Sequence, residues 1–290
     1  MNDHADADFA TTGAPPIGLI AAGGRLPVAT AAGIRQAGRA VACVALKGEY
    51  EPDLPEHCAR FRTTGLIQLG KWIRTLRSWG VRELVMVGKV HKAQMYDPML
   101  WFRYLPDFRA AKVWFGRLRH DKRPDQMLRA IADEFAAEGI TMIDSTRYIP
   151  ELLADPGVMT RGKLTTEQQG DIDFALPIVQ RMGDLDIGQS VAVKDRDIIA
   201  VEAIEGTDAM IERAGALCKR GQWTLVKLAK PHQDMRFDVP TVGPRTIEQM
   251  KTHGATCLAV EAGKTILLDK PRFLEAAHAA GIAVVGIEVD

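Results

Sequence analysis

The chain has 290 residues, room for two domains that each bury a core of their own. Its 37 basic and 37 acidic residues balance to a formal charge of zero, which removes the strongly basic field of a general nucleic-acid binder. Cys43, Cys58, Cys218 and Cys257 show no CxxC or Cys/His metal spacing, so they read as reduced thiols rather than a disulfide or zinc framework.

Residues 1–16 are acidic, alanine-rich and end in Pro15-Pro16. They lack a basic segment followed by an apolar one, so they are expected to be a flexible tail and not a signal peptide. No apolar run approaches the roughly 20 residues that cross a bilayer as a helix.

Ile17–Ala21 is predicted to be a strand, after which Ala22-Gly23-Gly24-Arg25-Leu26-Pro27 turns into a helix reaching about Ala37. Free backbone N–H groups at a helix start make such a loop a candidate anion site, and a plain tight strand-to-helix connection is the alternative. A dinucleotide fingerprint is absent: there is no GxGxxG at the turn. The next strand, Ala40–Leu46, ends at Lys47, where an NAD site would place an acid for the ribose.

Gly65–Trp79 reads as an amphipathic helix with Leu66, Leu69, Ile73 and Leu76 on its apolar face. Arg82–Gly88 is a buried strand opening into Lys89-Val90-His91-Lys92. Loops at the carboxyl ends of strands line the ligand crevice of a doubly wound sheet, which makes Lys89 and His91 candidate contacts. From Met95 to Arg123, Trp101, Phe102, Tyr104, Phe108, Trp114 and Phe115 interleave with seven Arg and Lys residues. Two readings stand side by side: core helices with solvated basic edges, or a surface for anionic lipid.

Pro124–Glu138 is a helix with proline in its first turn, and Ile140–Ile143 a strand. The pattern then breaks at Pro150, Asp155-Pro156-Gly157 and Arg161-Gly162. The expected layout is a first domain over 17–150, a linker over 151–166 and a second domain over 167–290. That second half predicts a helix over Gln168–Met182 and a hairpin of Val191–Val193 and Ile198–Glu202 around Asp195-Arg196-Asp197. Strands follow at Trp223–Ala229, Cys257–Val260, Ile266–Leu268 and Ile282–Val289, with helices at Thr246–His253 and Arg272–Ala280.

Two stretches of this half carry the chemistry. Glu202-Ala203-Ile204-Glu205-Gly206-Thr207-Asp208 puts three acids at the entrance of a helix, more than one N-cap requires. Lys230-Pro231-His232-Gln233-Asp234-Met235-Arg236-Phe237-Asp238 is dense in charge and is held by Pro240, Gly243 and Pro244. In extended chain Asp234, Arg236 and Asp238 would share one face, opposite Met235 and Phe237. Carboxylates beside Lys and Arg are the inventory for a divalent cation holding a phosphorylated substrate.

These residues carry a resemblance. GLIAAGGRLP from Gly18, LDIGQ from Leu185, AVEAIEGTDAM from Ala200 and the run Lys230–Gly243 resemble the LpxI family, UDP-2,3-diacylglucosamine pyrophosphatases of lipid A biosynthesis. The likeness spans Ile17 to Val289. One departure is Pro124-Asp125-Gln126-Met127-Leu128-Arg129, where the family typically has paired acids.

The resemblance implies an α/β protein of two domains, an N-terminal Rossmann-like domain and a C-terminal mixed α/β domain, with the site in the crevice between them. It implies a Mg2+-dependent hydrolase that splits UDP-2,3-diacylglucosamine into lipid X and UMP. Asp238, Asp208, Glu205, Lys230 and Arg236 are the expected catalytic residues, with Asp238 and Asp208 on the metal. Gly23, Gly24, Arg25, Leu26, Lys89, Thr207 and Gln233 are expected to bind substrate. The expected partner is a lipid-linked sugar nucleotide and not nucleic acid. The expected location is the cytoplasm, with peripheral contact at the cytoplasmic face of the inner membrane left open. GDxHG, GNHE and Nudix runs of other phosphoesterases are absent. An oxidoreductase or a plain sugar-nucleotide binder would use the first domain alike but leave the second-half acids unexplained.

Overall fold

The structure, a computed structural model, describes residues 13–89, 107–119, 124–231, 233–237 and 239–289, the side chains of 124 and 125 excepted. It divides into two units, one of residues 1–149 with Met235–Phe237, the other of Pro150–Asp234 with 238–290.

The first unit is built on β1 (Ile17–Ala21), β2 (Val41–Leu46), β3 (Arg60–Thr64), β4 (Glu83–Val87) and β5 (Thr141–Met142). These form a parallel sheet in the order β3-β2-β1-β4-β5. β1 and β2 are buried along their whole length, which is why they read as unbroken apolar runs. The two-residue period still sorts their side chains by face. Ile20, Ala42 and Val44 pack with Leu69, Trp72, Ile73, Leu76 and Phe135 on one side of the sheet. Leu19, Ala21, Val41 and Cys43 pack with Val28, Ala31 and Ile34 on the other. The result is the Rossmann-like three-layer arrangement that the sequence predicts.

The helix expected from Gly65 begins at Leu69. Residues 65–68 form the turn before it, held by Gln68 Oε1 accepting from Gly65 N (3.1 Å) and by the Trp72 indole donating to Gly65 O (3.1 Å). Of the basic–aromatic run, residues 95–106 and 120–123 lie outside the described residues. The described part is the short helix Phe108–Lys112 continuing into a π turn, Val113–Arg117. Val113 and Leu118 are buried in the core, whereas Phe108 and Phe115 are exposed. Arg109 pairs with Glu134 (3.2 Å) and Glu138, and Arg117 with Asp133 (3.3 Å). Two of the run's cations, Arg109 and Arg117, are thus committed to acids at 133–138.

The second unit has a six-stranded mixed sheet. Its strands are β6 (Gly157–Val158), β7 (Ser190–Lys194), β8 (Asp197–Val201), β9 (Trp223–Lys227), β11 (Ala255–Glu261) and β13 (Ala283–Ile287), in the order β6-β13-β11-β9-β7-β8. β9, β11 and β13 run parallel, while β6 and the β7–β8 hairpin supply antiparallel edges. A separate parallel pair joins β10 (Thr241–Val242) to β12 (Ile266–Leu267). Helices Thr207–Leu217, Pro244–Thr252 and Lys270–Ala279 cover one face through Met210, Ile247 and Phe273. The helix Thr166–Asp184 covers the other through Ile172, Ala175 and Val179. Residues 151–166, expected as a linker, belong to this unit by their contacts and contribute β6 to its sheet.

Candidate active site

In the first unit the strand order reverses between β1 and β4, the place where open α/β sheets bind ligands. The loops leaving these two strands are zipped together. Gly23 N donates to Lys89 O (3.0 Å) and Lys89 N to Gly23 O (2.9 Å), and Ala22 N donates to Val87 O (3.0 Å). A Cβ on Gly88 would lie 2.7–2.9 Å from the Ala22 backbone, and Gly88 has φ +108°, so only glycine permits this closure. Gly24, at φ +90°, then turns the chain into the helix Leu26–Gln36. Leu26 packs against the core, and the Lys89 side chain is exposed. Arg25 makes a two-pronged pair with Asp53, at 2.9 and 2.7 Å. Hydrogen bonding from that guanidinium holds the Asp53 carboxyl below its ordinary pKa. The predicted loop is thus present, with its one arginine already tied to an acid. His91 lies outside the described residues.

In the second unit the carboxyl ends of β8 and β9 lie on either side of the start of β7. Ser190 is the register partner of Lys227, and Glu202 N donates to Ser190 O (2.9 Å). Lys227 and Glu202 are both buried, with 3% and 7% of their surface exposed. A lone buried charge costs several kcal/mol, so this pair stands only because it is internally compensated. Lys227 Nζ donates to Thr207 Oγ1 (3.0 Å) and Ser190 Oγ (3.2 Å) and lies 3.6 Å from Glu202 Oε2. Thr207 Oγ1 donates in turn to Glu202 Oε1 (2.8 Å). The Thr207 hydroxyl has therefore spent its proton inside the cluster, and what residue 207 can offer a ligand is its backbone N–H at the helix start.

The three acids of the EGTDAM stretch do not converge. Glu202 faces inward to Lys227, Glu205 pairs with Arg213 (2.6 Å), and the exposed Asp208 lies 3.4 Å from Arg245. Among the described residues no group of three His, Cys, Asp or Glu is placed to hold a metal ion. Asp208 keeps an exposed carboxylate of the hard-oxygen type that magnesium takes, which is one ligand and not a set.

Lys230 pairs with Asp186, a residue of the LDIGQ stretch held at φ +56°. Gln233 closes the turn after it: its Oε1 accepts from Lys230 N (3.2 Å) and its N donates to Lys230 O (2.8 Å). Past this point the extended chain expected over Asp234–Asp238 does not hold at the described residues 235–237. Met235–Phe237 form a turn belonging to the first unit. Ser145 donates to Met235 O through its N (3.0 Å) and its Oγ (2.8 Å), and Phe237 packs on the core around Leu69 and Phe135. Those attachments outweigh strand geometry and leave Arg236 stacked on the Phe237 ring, 5.0 Å from its centroid. Asp238 and His232 lie outside the described residues.

Sequence reasoning passed over Lys227, Ser190 and Glu261. Glu261, also buried, ends β11 and accepts from Ala229 N (2.9 Å), fixing where the Lys230 loop departs. A lysine within the apolar run Trp223–Ala229 is the one signal that could have marked this cluster.

Fold and cluster together define a two-domain α/β protein with buried, ion-paired polar groups at the strand ends of its second sheet. The LpxI N-terminal domain matches residues 16–152 and the LpxI C-terminal domain residues 155–285. The chain belongs to the LpxI family. A relative from Caulobacter vibrioides, named UDP-2,3-diacylglucosamine pyrophosphatase LpxI, is 32% identical over 280 residues, covering 94% of this chain and 97% of that protein.

Proposed function

We propose that the protein hydrolyses the diphosphate of UDP-2,3-diacylglucosamine to 2,3-diacylglucosamine 1-phosphate (lipid X) and UMP, in lipid A biosynthesis. The observation that carries this reading is the match to both LpxI domains, joined to a relative of that name along nearly the whole length of both chains. Three features of the second unit support it. The N-terminus of the helix Thr207–Leu217 has no side-chain cap, so its first amides remain available to an anion. Lys230 stands nearby in sequence to β9 as a cation for phosphate charge, drawn from its pair with Asp186. Leu185, Ile187 and Ile204 expose large apolar side chains on the loops beside this end of the sheet, at 64%, 47% and 78%, a surface suited to acyl chains.

A divalent cation, as magnesium, belongs to the proposal, with Asp238 and Asp208 as its oxygen ligands, Glu205 as a further carboxylate to bind it or orient water, and Lys230 and Arg236 as partners for phosphate charge. When bound, such an ion neutralises diphosphate charge and lowers the pKa of water. The protein's own part is to hold Asp208 at the start of a fixed helix, to present backbone N–H groups to phosphate oxygen and to balance charge with Lys230. Gly23, Gly24, Arg25, Leu26, Lys89 and Gln233 complete the proposed substrate contacts. No helix among the described residues is long and apolar enough to cross a membrane. A cytoplasmic site with peripheral contact to the inner membrane is the proposed setting.

Purified protein with magnesium should release UMP from UDP-2,3-diacylglucosamine, lose that activity in EDTA and barely act on UDP-N-acetylglucosamine. Equal rates on the two substrates would remove the lipid assignment, and activity unaffected by EDTA would remove the cation.

A further inference from the structure

We infer that Lys227 is a positioning residue, which through the Thr207 hydroxyl fixes the start of the helix Thr207–Leu217 and so the place of Asp208. The inference deepens the proposed function, on which it rests for the turnover it is meant to govern.

The helix begins without a local device to define it. Gly206 occupies the N-cap at φ +84° and offers no side chain to the first amides. Helix ends without a cap fray, and fraying here would move the residues at the first two positions, Thr207 and Asp208. Lys227 supplies what the cap does not. Its ammonium donates to Thr207 Oγ1 and to Ser190 Oγ, so one group ties the end of β9, the start of β7 and the first residue of the helix. The Thr207 hydroxyl donates its own hydrogen bond to Glu202 Oε1, which fixes it in direction as well as distance. Glu202 follows β8 directly and balances the ammonium charge.

Stability alone does not account for this cluster. Apolar side chains of like volume are as stabilising as a buried ion pair or more so. Among the described residues Glu202 Oε2 is buried with no hydrogen-bond partner, and the charge of Lys227 at 3.6 Å compensates it. Such a cluster sets position rather than adding stability.

The test compares Lys227→Met, the double variant Lys227→Met/Glu202→Leu, Thr207→Val and Thr207→Ser with the parent protein. Melting temperature, kcat and KM for UDP-2,3-diacylglucosamine, and hydrogen exchange of the Met210 amide, which closes the first turn on Gly206 O, are measured on each. Lys227→Met should lower the melting temperature, because it strands the Glu202 charge. It should also lower kcat about 100-fold, the loss expected from misplacing a reacting group by about an ångström, with KM little changed. The double variant should recover the melting temperature and not the kcat. Thr207→Val should follow Lys227→Met in kcat, and Thr207→Ser, which keeps the hydroxyl, should restore most of it. The Met210 amide, which donates to Gly206 O (3.2 Å), should exchange faster in both Lys227 variants. Recovery of kcat together with melting temperature in the double variant would overturn the inference, as would unchanged exchange of that amide. The exchange result stands without any activity, so a parent protein that releases no UMP refutes the proposed function while the clamp is still decided.

Discussion

Gly188→Ala tests how tightly the LDIGQ loop is locked to the acid cluster. A Cβ at Gly188 would lie 2.0 Å from Glu202 O and 2.8 Å from its carbonyl carbon, backbone against backbone with no side chain able to swing away. Reaching the 3.0 Å that real Cβ contacts respect requires the loops to part by about 1 Å. That movement acts on the hydrogen bond from Glu202 N to Ser190 O, now 2.9 Å. Overpacking of this kind costs roughly 1–3 kcal/mol, and the lost hydrogen bond about 1 more. At about 2–4 °C per kcal/mol, the second unit should melt roughly 5–15 °C lower. Gly243→Ala is the control in the same unit, because its Cβ would meet only Leu268, at 3.5 Å and beyond. Differential scanning calorimetry reads both variants. A Gly188→Ala protein melting within about 1 °C of the Gly243→Ala control would refute the packing argument.

Asp238→Ala should lower turnover about 100-fold with substrate affinity nearly kept, as for a group whose interaction strengthens in the transition state. A well-folded variant retaining more than about a tenth of its turnover would clear Asp238 of that role. Burial pushes the Cys257 thiol up to about 12 and also raises Cys43, so neither should react with iodoacetamide at pH 8 in the folded protein. The partly exposed Cys218 should label first by peptide mass spectrometry, and early labelling of Cys257 would contradict its packing. Arg25 lowers the Asp53 pKa, so the support this pair gives the folded state is complete above the ordinary 3.8 and is lost as pH falls through the lowered value. Carbon-detected titration should place the Asp53 midpoint below 3.8, and Arg25→Gln should bring it back up.

Most elements are legible in the chain because their information is local. β1, β2, β4 and β9 are apolar runs of strand length, and the residues of Leu69–Ser78 that face the core recur at three- and four-residue spacing. The β7–β8 hairpin follows from its turn, where Asp195 and Arg196 both take positive φ. β3 is not legible: Arg60-Phe61-Arg62-Thr63-Thr64 is a polar edge strand, and only pairing with β2 makes it one. The extended chain expected at 235–237 gives way to a turn for the same reason. Ser145, ninety positions earlier, holds Met235 in a turn. The sequence shows three acids before a helix but not their partners. Arg245 and Lys227 reach Asp208 and Glu202 from other elements, and Arg213 reaches Glu205 from farther along the helix that follows it. Lys227 itself reads only as a lysine inside the apolar run Trp223–Ala229. That it is a buried cation bound to two hydroxyls was decided by the tertiary structure, since an ammonium can be buried only where distant strands and a helix start bring it acceptors.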